Sequence, residues 1–136
     1  MIKDFNNWNK NKKSLENRDF RFIKCKKGEI WLCKIGENIG NEISKDEPFV
    51  RPALIVNAFF GGDLVLIFPL TTKYNKNLKR FYFYINKKIG LNENSYICLN
   101  QVRVVSKKRL VRRVVFDIGE DLYLQIIEKF KKNIEL

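Results

Sequence analysis

The 136-residue sequence has no histidine, which removes the usual general acid–base side chain and the commonest zinc ligand. Cysteine is scarce. Cys25, Cys33 and Cys98 are odd in number, sit in apolar strand-like segments and form no C-x-x-C pair. They read as small core residues in a reducing compartment, so neither a disulfide framework nor a metal site is expected. No cofactor is expected either. No apolar run approaches the ~20 residues of a membrane span. Residues 1–24 are polar and charged and lack the apolar stretch of a signal peptide. No membrane contact is expected, and the cytoplasm is the expected location.

Positive charge, by contrast, is abundant: 27 Lys and Arg stand against 15 Asp and Glu, a formal net charge of +12. Its placement is uneven. Residues 1–27 carry +6, residues 28–72 carry −3, residues 73–116 carry +11 and residues 117–136 carry −2. Segment 73–116 holds twelve basic residues and a single acid. A polyanion partner fits this pattern, because neutralised phosphates release counterions and drive binding. Lysine outnumbers arginine, 19 to 8, so lysine faces that are merely solvated are the competing reading.

The stretch Arg51–Thr72, RPALIVNAFFGGDLVLIFPLTT, organises the rest of the chain. Pro52–Phe60 and Leu64–Leu70 are near-continuous apolar runs, which marks strands covered on both faces. Gly61-Gly62-Asp63 supplies the turn between them. At the open end of such a hairpin Arg51 and Thr71 become neighbours. An arginine beside a hydroxyl pair, Thr71 and Thr72, on a rigid sheet rim is a candidate phosphate site.

The remaining pattern is one of short strands. The first 24 residues form a separate extension, either a mobile basic arm or a short helix with Ile2, Phe5 and Trp8 on one face. Strands are expected at Phe20–Lys24, Glu29–Ile35, Phe81–Ile85, Ser95–Leu99 and Val111–Phe116. Gly36–Val50 is a long polar connection of the kind that carries function. Ser106–Leu110 resembles one helical turn. Asp117-x-x-Glu120 has capping-box spacing, and Leu122, Ile126 and Phe130 define the buried face of a C-terminal helix. Residues 25–136 therefore read as one mainly β domain, a small, strongly bent antiparallel barrel.

Several motifs occur in an order that resembles the MazF/PemK family of toxin endoribonucleases. They are Gly28-Glu29-Ile30-Trp31, Gly40-Asn41-Glu42, Arg51-Pro52-Ala53-Leu54-Ile55-Val56, Pro69-Leu70-Thr71, Leu99-Asn100-Gln101-Val102-Arg103 and Ser106-Lys107-Lys108-Arg109-Leu110. The resemblance implies an SH3-like barrel, a homodimer that cuts single-stranded RNA at short sequences, and a small antitoxin protein occupying the RNA groove. It also implies that Arg51 and Thr71 are the catalytic pair. The chain departs from the family in having Asn41 where serine is frequent, a longer connection from Glu42 to Arg51, and the N-terminal extension.

Metal-independent RNA cleavage requires removal of the 2′-hydroxyl proton, stabilisation of the phosphorane charge and protonation of the leaving oxygen. Arg51 suits the second task through its fork of donors and is a poor base. Glu42 is the candidate for assisting proton removal, provided that the polar loop folds over the site. Asn41, Thr72, Lys73, Gln101, Arg103 and Lys107 are the candidate RNA-binding residues. Tyr82 and Tyr84 either stack bases or pack against a sheet neighbour or partner. Two further readings of the same barrel remain: a nucleic-acid-binding module without catalysis, and a CcdB-like toxin acting on DNA gyrase through its C-terminal helix.

Overall fold

A computed structural model describes residues 2–59 and 62–134. Phe60 and Gly61 of the expected hairpin turn lie outside the described residues, as do Met1, Glu135 and Leu136. In chain order the elements are α1 (Phe5–Glu16), β1 (Ile30–Lys34), β2 (Val50–Asn57), β3 (Leu64–Thr71), β4 (Tyr82–Ile85), β5 (Ser95–Cys98), β6 (Arg103–Ser106), β7 (Leu110–Val115) and α2 (Glu120–Ile134). Single 3-10 turns at Lys76–Phe81, Lys87–Ile89, Leu99–Gln101 and Lys107–Arg109 link the later strands.

All pairings are antiparallel, in the order β4-β5-β3-β2-β1-β7, with β6 also on β3. β3 is the axis. Its first half pairs with β6 from Leu64 to Ile67, and its end pairs with β5 at Leu70 and Thr71. The strongly bent sheet is not closed, since β4 and β7 end the order without pairing to each other.

Strand alternation sends the central hairpin's side chains to two cores. Leu54, Val56, Phe68 and Leu70 join Ile30, Ile97 and Leu99 beneath α2. Ala53, Ile55, Val65 and Ile67 join Cys33, Val105 and Leu110 on the other face. Double coverage accounts for the unbroken apolar runs. α2 contributes the expected face: Ile126 is fully buried, and Phe130 meets Phe68 edge-on with centroids 5.0 Å apart. Truncating a side chain buried as Ile126 is typically costs about 2–5 kcal/mol.

Three local expectations are corrected. Phe20–Lys24 is not a strand: Asp19 accepts from the backbone and guanidinium of Arg21, and Ile23 N–H closes a turn on the Phe20 carbonyl. Asp117 does not begin α2. Its Oδ1 accepts from Gly119 N–H at 2.8 Å, and the Gly119 carbonyl takes the first helical bond from Tyr123. Helix α1 does form, with Asp4 as its N-cap, but of the three residues expected on its apolar face only Trp8 is buried; Ile2 precedes the helix, and Ile2 and Phe5 are 97% and 49% exposed. Among the described residues no helix is long and apolar enough to cross a membrane.

Candidate active site

Arg51 lies near the start of β2 and Thr71 at the end of β3. The register Ala53↔Pro69, continued by two residues, sets them opposite one another. Both line a cleft of about 380 Å³ that wraps the open end of the hairpin. Thr71 is buried, and its Oγ1 accepts from Lys73 N–H at 3.2 Å. Because that bond uses the oxygen as acceptor, the hydroxyl proton stays available for a ligand oxygen. Arg51 donates through Nε and Nη2 to the Ser44 carbonyl at 2.9 and 2.7 Å. Among the described residues Nη1 has no partner. Burial lowers the Arg51 pKa from its ordinary value, against the small raising effects of Cys98 and Asp46. Burial also pushes the neighbouring Cys98 thiol up to about 11, although the Arg51 charge pulls the other way. Cys98 is thus a neutral thiol at pH 7 and leaves the arginine's charge uncompensated.

The polar connection folds into a small knot beside this rim. Asn38 donates its side-chain amide to the carbonyls of Ile35 and Ile43, and Asn38 N–H donates to Ser44 Oγ. Gln101 staples the knot from across the sheet. Its Oε1 accepts from Ile43 N–H and its Nε2 donates to the Asn41 carbonyl, both at 3.0 Å. Both ends of the Gln101 amide are therefore engaged within the chain, so it holds the loop that holds Arg51.

Helix α1 braces the same connection. Trp8 covers Gly36, where an added Cβ would lie 2.0 Å from the indole, and packs on Phe49 at 5.3 Å. Phe49 is buried with φ of +69°, a costly conformation for a bulky residue two positions before Arg51. Asp4 N–H donates to buried Glu37 at 2.7 Å, and Lys3 Nζ donates to the carbonyls of Asn38 and Gly40. The extension thus packs as a helix on the connection that leads to Arg51.

The other sequence candidates divide. Thr72 lines the cleft and Lys73 is exposed just beyond it. Arg103, opposite Ile67, shares the strand face of Thr71, four residues or roughly 14 Å along β3. Asn41 and Glu42 are exposed on the knot and do not line the cleft; the Glu42 carboxylate turns back to Ile39 N–H at 3.4 Å. Lys107 is not brought to the site. The Leu64↔Ser106 pair places it beyond the far end of β3, about 27 Å of strand from Thr71 at ~3.4 Å per residue.

Two groups were missed. Glu93 is the one carboxylate among the described cleft residues, where it accompanies Lys45, Arg51 and Arg112. Its signal in the sequence is that it is the lone acid of segment 73–116. Glu29, 1% exposed, accepts from Lys26 N–H, Trp31 Nε1 and Arg113 Nη1, the last at 2.8 Å. It ties β1 to β7 and faces no cleft. Among the described residues no three cysteine, aspartate or glutamate side chains are grouped to hold a metal ion.

The fold is shared with proteins of known structure. The chain is similar to MazF from Deinococcus radiodurans, with TM-score 0.67 and 16% identity over 82% of this chain and 97% of that one. It is also similar to an endoribonuclease from a mycobacterial species in complex with its cognate antitoxin, with TM-score 0.63, 15% identity and 83% and 97% coverage. A third similar structure is the Mycobacterium tuberculosis toxin MazF-mt6, with TM-score 0.61, 15% identity and 79% and 97% coverage. No curated protein matches the sequence. A family model for the PemK-like, MazF-like toxin of type II toxin–antitoxin systems matches residues 26–134, and the chain belongs to that family.

Proposed function

We propose that the protein is an endoribonuclease toxin that cuts single-stranded RNA at the Arg51–Thr71 rim, and that an antitoxin protein inhibits it. The observation that carries this reading is the cleft at the open end of the hairpin. A guanidinium held along one edge and a threonine hydroxyl that serves only as an acceptor both line that cleft. Family membership and the mycobacterial endoribonuclease bound to its cognate antitoxin support it. The 2′-oxygen of the substrate attacks the adjacent phosphorus, the bond from phosphorus to the 5′-oxygen breaks, and a 2′,3′-cyclic phosphate and a 5′-hydroxyl result. Arg51 Nη1 and the Thr71 hydroxyl donate to the phosphoryl oxygens as charge builds on them. A carboxylate takes the 2′ proton, and water gives a proton to the departing 5′-oxygen, which leaves as the 5′-hydroxyl. Glu93 lines the cleft and Glu42 does not, so Glu93 is the better placed of the two.

The working form in this reading is a cytoplasmic homodimer, with Thr72, Lys73 and Arg103 holding the RNA backbone beside the catalytic pair. One chain brings Arg103 and the cleft onto neighbouring surfaces but leaves Lys107 remote, and a symmetric partner extends the basic groove. The test is end-group analysis of RNA cut in the presence of EDTA, with mapping of the cut sites. Cyclic phosphate and 5′-hydroxyl ends at a recurrent short sequence are expected. Intact RNA would leave a binding module without catalysis, and a 16.2 kDa species alone at micromolar concentration would remove the dimer.

A further inference from the structure

We propose that Tyr74, Tyr82, Tyr84 and Tyr96 form a stacking platform for the nucleobases next to the scissile phosphate. This rests on the RNA-cleavage reading and names how the same site grips its substrate.

The placement comes from strand register. Thr71 pairs with Tyr96 and Tyr96 pairs with Tyr84, so the three side chains lie in one rank on one face across β3, β5 and β4. At the ~4.8 Å strand spacing, Tyr96 is one strand from the catalytic threonine and Tyr84 is two. Tyr82, paired with Cys98, extends the same face, and Cys98 lies close enough to Arg51 to feel its charge. Phe83 and Ile97 point the other way and supply the core under α2. The tyrosines are therefore not the inner face of this small sheet.

The rings touch one another in a continuous cluster. Tyr74 is 5.7 Å from Tyr82 and 5.2 Å from Tyr96, Tyr82 is 5.4 Å from Tyr96, and Tyr84 is 5.6 Å from Tyr96. Tyr82 forms the buried base at 8% exposure, whereas Tyr74 and Tyr84 are each 50% exposed. The platform is also tied to α2. Lys129 and Asn133 of α2 donate to the carbonyls of Tyr82 and Arg80, which pins the 3-10 turn that follows Tyr74. Lys73, Lys76 and Lys79 stand exposed around it. Aromatic faces among cations, continuous with a phosphate site, match the chemistry of a single-stranded nucleic acid, whose bases stack on any flat ring while its phosphates need counter-charge.

The test uses an oligonucleotide carrying the mapped cleavage sequence with a 2′-deoxy nucleotide at the cut, which binds without being cleaved. Tyr84→Ala and Tyr74→Ala are each expected to weaken binding about five- to 150-fold, and Tyr84→Phe to keep wild-type binding. Replacing the base immediately before or after the scissile phosphate with an abasic residue should weaken binding to wild type and cause a smaller further loss in Tyr84→Ala. Two results overturn the platform: unchanged binding in both alanine variants, or an abasic penalty equal in wild type and Tyr84→Ala. Loss of dimer in both variants with RNA affinity per dimer unchanged would also overturn it and make the cluster an interface between copies. Wild-type protein that cuts RNA while the platform variants bind normally separates this failure from failure of the cleavage reading, in which wild type cuts nothing.

Discussion

The Nε and Nη2 atoms of Arg51 converge on one oxygen, the carbonyl of Ser44, at 2.9 and 2.7 Å. A guanidinium held along one edge by two donors cannot swing freely, so its remaining donors keep a fixed direction. Ser44 is in turn part of a knot held by Gln101 on one side and by the α1 brace on the other. The orientation of the site's one deeply set cation is therefore set in part by Gln101, 50 positions further along the chain.

If this fixed cation stabilises the phosphorane, Arg51→Ala lowers the cleavage rate about 10²–10³-fold while RNA binding weakens far less. Arg51→Lys does not restore it, because a point charge cannot donate to Ser44 twice and still face a phosphate. Thr71→Val keeps the shape and deletes the hydroxyl, so the rate falls with only a modest change in melting temperature. Single-turnover cleavage beside thermal unfolding checks all three, and wild-type rates in Arg51→Ala and Thr71→Val would place the site elsewhere.

The scaffold around Arg51 is separately testable. Gln101→Ala removes two hydrogen bonds worth about 0.5–1.5 kcal/mol each, and the loosened knot is expected to lower kcat roughly tenfold with KM little changed. A residue that read RNA bases directly would raise KM instead. Trp8→Ala empties the site above Gly36 and Phe49 and should cost about 3–5 kcal/mol of stability by denaturant unfolding, with loss of cleavage. A Trp8→Ala protein of wild-type stability would mean that the extension is not a brace.

What could be read in the sequence is what depends on neighbours along the chain. The placing of Arg51 and Thr71 on one cleft follows from one hairpin and its apolar runs, and the buried face of α2 follows from helical spacing alone. What the sequence did not show is long-range or concerns turns. Gln101 looked like a base reader because its partners, at Asn41 and Ile43, are some 60 positions away. Glu29 gave no sign of its bond to Arg113, 84 positions on. Lys107 shared the basic character of its segment, but the β3–β6 register carries it to the wrong end of the hairpin. Phe20–Lys24 alternates like a strand, yet Asp19 ties Arg21 into a turn.

The buried thiols give a pH dependence. Burial raises Cys98 from an ordinary 9.0 to about 11 and Cys33 from 9.0 to about 12. The unfolded chain therefore loses these protons at lower pH than the folded one, so the unfolded state binds fewer protons and stability falls as pH rises. The stabilisation of the folded state is complete below pH 9 and is lost between about 9 and 12. At about 1.4 kcal/mol per pKa unit, Cys98 accounts for about 3 kcal/mol of that loss. Cys98→Ala should flatten the fall in denaturant unfolding measured from pH 8 to 11. An equally steep fall in the variant would show that Cys98 takes no part.

Proton removal decides between the two carboxylates. Glu93 lines the cleft with Arg51, while the Glu42 side chain is exposed on the knot and turned toward Ile39 N–H. A base must come within hydrogen-bond reach of the 2′-hydroxyl, directly or through one water, and only Glu93 opens onto the space where that hydroxyl lies in the proposed mechanism. Glu93→Gln is expected to lower the rate about 10²–10⁴-fold, the usual worth of general acid–base catalysis, and to abolish any rise of rate with pH that the general base gives. Glu42→Gln removes one weak bond to the loop and should change the rate less than tenfold with the pH profile intact. Measuring both profiles under single-turnover conditions keeps product release from masking the chemical step. A flat profile in Glu42→Gln with a normal one in Glu93→Gln would return the role to Glu42 and require the knot to close over the cleft when RNA binds. Normal profiles in both would leave the 2′ proton to solvent, with Arg51 and Thr71 supplying the catalysis by charge stabilisation alone.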